Sequence, residues 1–213
     1  MWDSLTRTLL ALTFVTGILD AVSFLALGNV FVAMQTGNVI FLGLGISGTA
    51  GTALLPPLVA LGAFVAGGLA ATLLARPNEP GDAGLRFALA VEVALLSCAA
   101  LLAAIIEVEP KQASAYVLVA LLSLSMGLRN TIARRVGDPN IATTVLNLTL
   151  TAFTAHTPTG FASQAELGVR IAAIAAILAG AVAGALLLKA SLALAIAAAA
   201  VVVLAVALGS RLN

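Results

Sequence analysis

At 213 residues, 62% hydrophobic and 9% charged, the chain is far more apolar than soluble domains, which run roughly 45–50% apolar and 25% charged; it reads as an integral membrane protein. Ten Lys and Arg against nine Asp and Glu leave a net charge of +1, scattered along the chain, which excludes a nucleic-acid partner. Long Ala, Leu and Val runs lack the alternation of a transmembrane barrel, so the predicted class is all-α: a polytopic transmembrane helix bundle.

Windows of about 20 apolar residues, enough to cross roughly 30 Å of hydrocarbon, are predicted at Thr8 to Leu27, Ala53 to Ala75, Phe87 to Ile106, Ser114 to Ile132, Val169 to Leu188 and Ser191 to Leu208. The first window follows an early Arg7, as in a signal peptide, but it runs on to Leu27 and carries Asp20, so it is read as a retained helix. Two further segments, Asn29 to Ser47 and Pro139 to Ala155, are shorter or more polar. They are either further spans or re-entrant segments.

Loop charges arbitrate, because Lys and Arg near helix ends accumulate on the cytoplasmic side. In an alternative of eight full spans, Arg7, Lys111, Arg170 and Arg211 are inside while Arg76, Arg86, Arg134, Arg135 and Lys189 are outside, which is no bias. With both segments entering and leaving on one side, Arg7, Arg76, Arg86, Arg134, Arg135, Arg170 and Arg211 are cytoplasmic, and only Lys111 and Lys189 are outside. The expectation is therefore six crossings, two re-entrant segments and both termini in the cytoplasm. Arg76 to Arg86, with two prolines and two glycines, is expected to be an exposed cytoplasmic turn, and Pro56 and Pro57 open the third window, where missing amide donors cost little.

Internal repetition is expected in one membrane domain over 1–213, as a first repeat over 1–107 and a second over 112–213. At one common spacing Gly28, Asn29, Ala33 and Asn38 stand against Gly137, Asp138, Ala142 and Asn147, with Asp20 against Arg129. Three crossings per unit turn the second copy upside down, so the repeats are inverted. The stretch from Gly62, GAFVAGG, resembles GAVAGA from Gly180, and glycines of this kind pack helices closely.

Two patterns carry a family resemblance: TG-x-x-DA-x-SFL-x-LG-x-VF-x-A-x-x-TGN over Thr16 to Asn38, and G-x-x-N followed by ARR and TTVL over Gly127 to Leu146. On these residues the chain resembles the YoaK-like family of bacterial multi-pass membrane proteins, described as a domain of unknown function. The resemblance implies a membrane location and supplies no substrate.

The polar residues inside apolar sequence are the candidate site: Asp20, Gln35, Thr36 and Asn38 in the first half, Arg129, Asn130, Thr144 and Asn147 in the second. A carboxylate at membrane depth costs about 2.5–3.5 kcal/mol on insertion scales, so Asp20 is expected to face protein, water or a partner. A buried ion pair between Asp20 and Arg129 is one arrangement, and Arg129 snorkelling to the surface is another. Gln35, Thr36 and Asn38 are expected to line a cavity, with Thr143, Thr144, Asn147 and Thr149 as the other half. Interhelical hydrogen bonding by the same Asn and Thr residues is the structural alternative.

Glu92, a little over one turn beyond Arg86, is expected near the cytoplasmic end of its span, reaching headgroups or a basic neighbour, with a proton-relay role weighed beside that. The single His156 and single Cys98 make no metal site and no disulfide. No cofactor and no metal are expected, and the absence of nucleophile, zinc, phosphate-loop and dinucleotide motifs argues against an enzyme. The functional expectation is a secondary transporter or channel-like permeator, whose partners are the lipid bilayer and a small solute or ion. The alternative is a non-transport scaffold or assembly protein. A homo-oligomer is compatible with either.

Overall fold

The computed structural model describes residues 4–48, 53–74, 81–136 and 164–209. The second polar segment, Pro139 to Ala155, with Thr144 and Asn147, and His156 beyond it lie outside them. Seven helices are described: α1 Ser4–Ala26, α2 Gln35–Ile46, α3 Leu55–Leu74, α4 Gly81–Ile105, α5 Ala113–Val136, α6 Gln164–Leu188 and α7 Leu192–Gly209. All but α2 are long and apolar enough to cross a membrane. The 12 residues of α2 reach about 18 Å, well short of the roughly 30 Å core.

Directions follow from contacts. A Cβ at Gly28, just past α1, would lie 3.3 Å from Lys111 and 3.7 Å from Pro56, so α1 ends where α3 and α5 begin. Against α6, Phe14 and Gly17 of α1 meet Gly180 while Ile18 meets Gly184, so α1 and α6 run parallel. The six long helices therefore alternate in direction, with Ser4 and Gly209 on the same face. Arg7, Arg86, Arg134 and Arg170 lie toward that face, and Lys111 and Lys189 lie at the other.

Close backbone contact builds the bundle. Added Cβ atoms at Gly17 and Gly180 would fall on the carbonyl oxygens of Ile177 and Phe14, and at Gly127 and Gly67 on those of Phe64 and Leu124. The α1·α6 and α3·α5 crossings thus use the same device, two glycines seated against two carbonyls. This is the close approach that small residues allow where lipid removes any hydrophobic drive between helices. Gly62, at the head of the repeated pattern, meets nothing within 4 Å, so the glycines of that stretch that face α5 are Gly67 and Gly68. Helices α4 and α7 pack on each other and on α5 and α1, enclosing a core that includes Leu19, Leu89, Leu96, Leu122 and Ile196. Cys98 is exposed on the outside of α4.

One boundary differs from expectation. The Gly-Asp-Ala-Gly stretch from Gly81 belongs to α4 and not to the preceding turn, which places more helix before Glu92 than the apolar window implied.

Gly127→Ala is expected to force α3 and α5 apart, at about 1–3 kcal/mol, because backbone receives the new methyl. Gly62→Ala, into open space, is expected to be neutral or slightly stabilising. Thermal unfolding in detergent compares the two, and equal losses would contradict the packing described.

Candidate functional site

The first polar cluster is a chain reversal. After Ala26 the backbone turns through Gly28 and Asn29, with φ of 110° and 59°, and residues 30–34 run back beside α1 without helical bonding. Asp20, six residues before the end of α1, is roughly two turns, about 9 Å, inside it. Its Oδ1 accepts the amides of Val32 at 2.9 Å and Ala33 at 2.8 Å. The descending segment thus reaches the depth of Asp20, and α2 starts there.

The α2 helix then climbs back along the same segment. Asn38 is fully buried and grips Phe31 at both ends: the Phe31 amide donates to its Oδ1 at 3.0 Å, and its Nδ2 donates to the Phe31 carbonyl at 2.6 Å. The Asn38 Nδ2 also donates to Gln35 Oε1 at 2.8 Å, and the Gln35 Nε2 donates to the Val32 carbonyl at 3.0 Å. Phe31 stacks on Phe24 at 5.2 Å and on Phe41 at 5.9 Å, closing the outer part of the hairpin with aromatic surface. A Cβ at Gly37 would come within 2.7 Å of the Phe31 ring, so a larger residue there must displace that ring. Segment 27–48 enters and leaves by one face. Of the expected cavity lining, Gln35 and Asn38 instead serve the hairpin's own backbone, while Thr36 is exposed.

The second cluster lies deeper between α1, α4 and α5. Arg129 is 2% exposed and Glu92 is 0% exposed, and the Arg129 Nη1 donates to Glu92 Oε1 at 2.8 Å. Arg129 Nη2 donates to Thr16 Oγ1 at 2.5 Å and approaches Met126 Sδ at 3.1 Å. Thr16 precedes Asp20 by one turn on the same face of α1, so Asp20 lies next along that face from the guanidinium. Glu92 Oε2 is buried with no hydrogen-bond partner among the described residues.

The ion pair is therefore Arg129 with Glu92, not Arg129 with Asp20. Arg129 does not snorkel, because α5 continues seven residues past it to Val136. Glu92 does not reach the headgroups either. With α4 starting at Gly81, it lies eleven residues, about 16 Å, along the helix. Asn130 is half-buried beside Arg129. Sequence reasoning allowed Glu92 a basic neighbour without naming Arg129 as that neighbour. The available signal was that, apart from Asp20, it is the carboxylate inside an apolar window, and an intramembrane Arg needs one.

These features define a six-span membrane helix bundle with a hairpin held at depth and a buried charged cluster. The chain belongs to the family described as protein of unknown function DUF1275, whose profile matches residues 8–209. It is 35% identical over 150 residues to the UPF0700 transmembrane protein YoaK of Bacillus subtilis (strain 168). That match covers 68% of this chain and 64% of the relative, so it spans less than two thirds of that protein's length. No solved structure matches the chain.

Removing the guanidinium leaves Glu92 and Asp20 without a cation, so Arg129→Met is expected to cost about 3–5 kcal/mol, and Glu92→Met, which breaks the contact while Asp20 still balances Arg129, less than that. The double change is expected to cost less than their sum, and a cycle of Asp20→Asn with Arg129→Met is expected to couple more weakly. Strong coupling to Asp20 with simple additivity at Glu92 would contradict the pairing.

Proposed function

We propose that the protein is a small secondary transporter or channel-like permeator of a small solute or ion, without enzymatic activity, in the bacterial inner membrane. The observation that carries this reading is the juxtaposition of a non-helical segment at membrane depth with the buried Asp20, Glu92 and Arg129. Charged side chains inside spans are expensive and mark solute and ion pathways by default. Interrupted segments in transporters stand at binding sites between inverted repeats. The inverted-repeat reading is supported by the matched crossings, in which Gly17 and Gly180 of α1·α6 are answered by Gly127 and Gly67 of α5·α3. Both ends of the described bundle are proposed to be cytoplasmic, because its four arginine-bearing helix ends share that face.

A scaffold reading has one observation in its favour. Gln35 and Asn38 use their amides on the hairpin backbone, as a purely structural brace does.

In proteoliposomes the wild type is expected to raise the flux of at least one solute or ion above empty vesicles. Arg129→Gln, if folded, is expected to abolish that flux. A wild type that moves nothing across a broad panel, while assembling normally, would replace transport by the scaffold reading.

A further inference from the structure

We infer that Glu92 is a proton-binding site inside the membrane, placed there by a charge imbalance in the bundle core. The inference rests on the transport reading only for the use made of the proton, which there becomes the coupling ion.

Among the described residues the buried charged side chains are Asp20, Glu92 and Arg129: two carboxylates and one guanidinium. With all three ionised, the cluster holds one uncompensated negative charge, and such a charge at membrane depth is expensive. No other described group offsets it. Of the elements packed against α4, α7 carries no charged residue over Leu192–Gly209, and α5 brings Arg129, with Arg134 exposed near its end and Tyr116 donating to the Lys111 carbonyl at the far end. On α4 itself Arg86 and Cys98 are exposed, and across Arg129 the α1 helix brings Asp20.

Geometry chooses between the carboxylates. Asp20 Oδ1 is engaged by two backbone amides, which suits an ionised acceptor. Glu92 has Oε1 on Arg129, while Oε2 is buried with no hydrogen-bond partner among the described residues. Protonation at Oε2 forms one O–H bond with a proton from water and breaks no covalent bond. Arg129 is then balanced by the Asp20 carboxylate, and the three groups sum to zero. Loss of the proton restores the second negative charge and sets the two carboxylates in competition for Arg129.

Infrared spectroscopy of the full chain in liposomes, unlabelled and with 13C-carboxyl glutamate, tests this without any transported solute, so its outcome stands apart from that of the flux assay. At about pH 6 a carboxylic C=O band is expected; it shifts with the glutamate label and disappears reversibly at higher pH. The band is expected to be lost in Glu92→Gln and kept in Asp20→Asn. If Glu92→Gln does not fold, the isotope shift in the wild type still separates glutamate from aspartate. No labelled band, a band that survives in folded Glu92→Gln, or one displaced by sodium at constant pH would overturn the proposal.

Discussion

A chain that leaves a helix inside a bilayer must find partners for its amides, because no water is there to take them. Asp20 meets that constraint by accepting the amides of Val32 and Ala33 through one oxygen. Around this contact the rest of the hairpin falls into place: Asn38 substitutes for a neighbouring strand at Phe31, Gln35 braces Val32, and three phenylalanines cover the outside. Losing the acceptor would leave two amides unpaired at depth, each costing about 1–3 kcal/mol.

The hairpin and the charged cluster share α1. Thr16 contacts Arg129 and Asp20 holds the re-entrant backbone, one turn apart on one helix face. A change in the charge state around Arg129 is thereby close to the contact that fixes the hairpin. The glycine-seated crossings supply the rigid frame for this, since helices whose backbones touch cannot shift without losing contact over the whole crossing.

Much of the frame was legible in the sequence. Apolar windows located the six long helices, and the arginine distribution argued for a first polar segment that does not cross, as α2 and its linker bear out. The charged contacts were less legible, for physical reasons. Asp20 is paired with backbone amides, which leave no trace in side-chain patterns. Glu92 was misplaced in depth because Gly81–Gly84 reads as turn while continuing α4. Helix register is also weakly encoded when a helix is apolar all round, so Gly62 looked equivalent to Gly67 although of the two only Gly67 touches a neighbour. Thr144 and Asn147 lie outside the described residues.

The central claim is that segment 27–48 enters and leaves by one face, and topology measures it most directly. In a Cys98→Ser background, Ser47→Cys, Glu107→Cys and Ser4→Cys are treated in intact cells with a membrane-impermeant thiol reagent. The account predicts that Ser47→Cys and Glu107→Cys are modified from outside, and Ser4→Cys only after permeabilisation. Labelling of Ser47→Cys from the same side as Ser4→Cys would make the segment a full crossing and contradict the account.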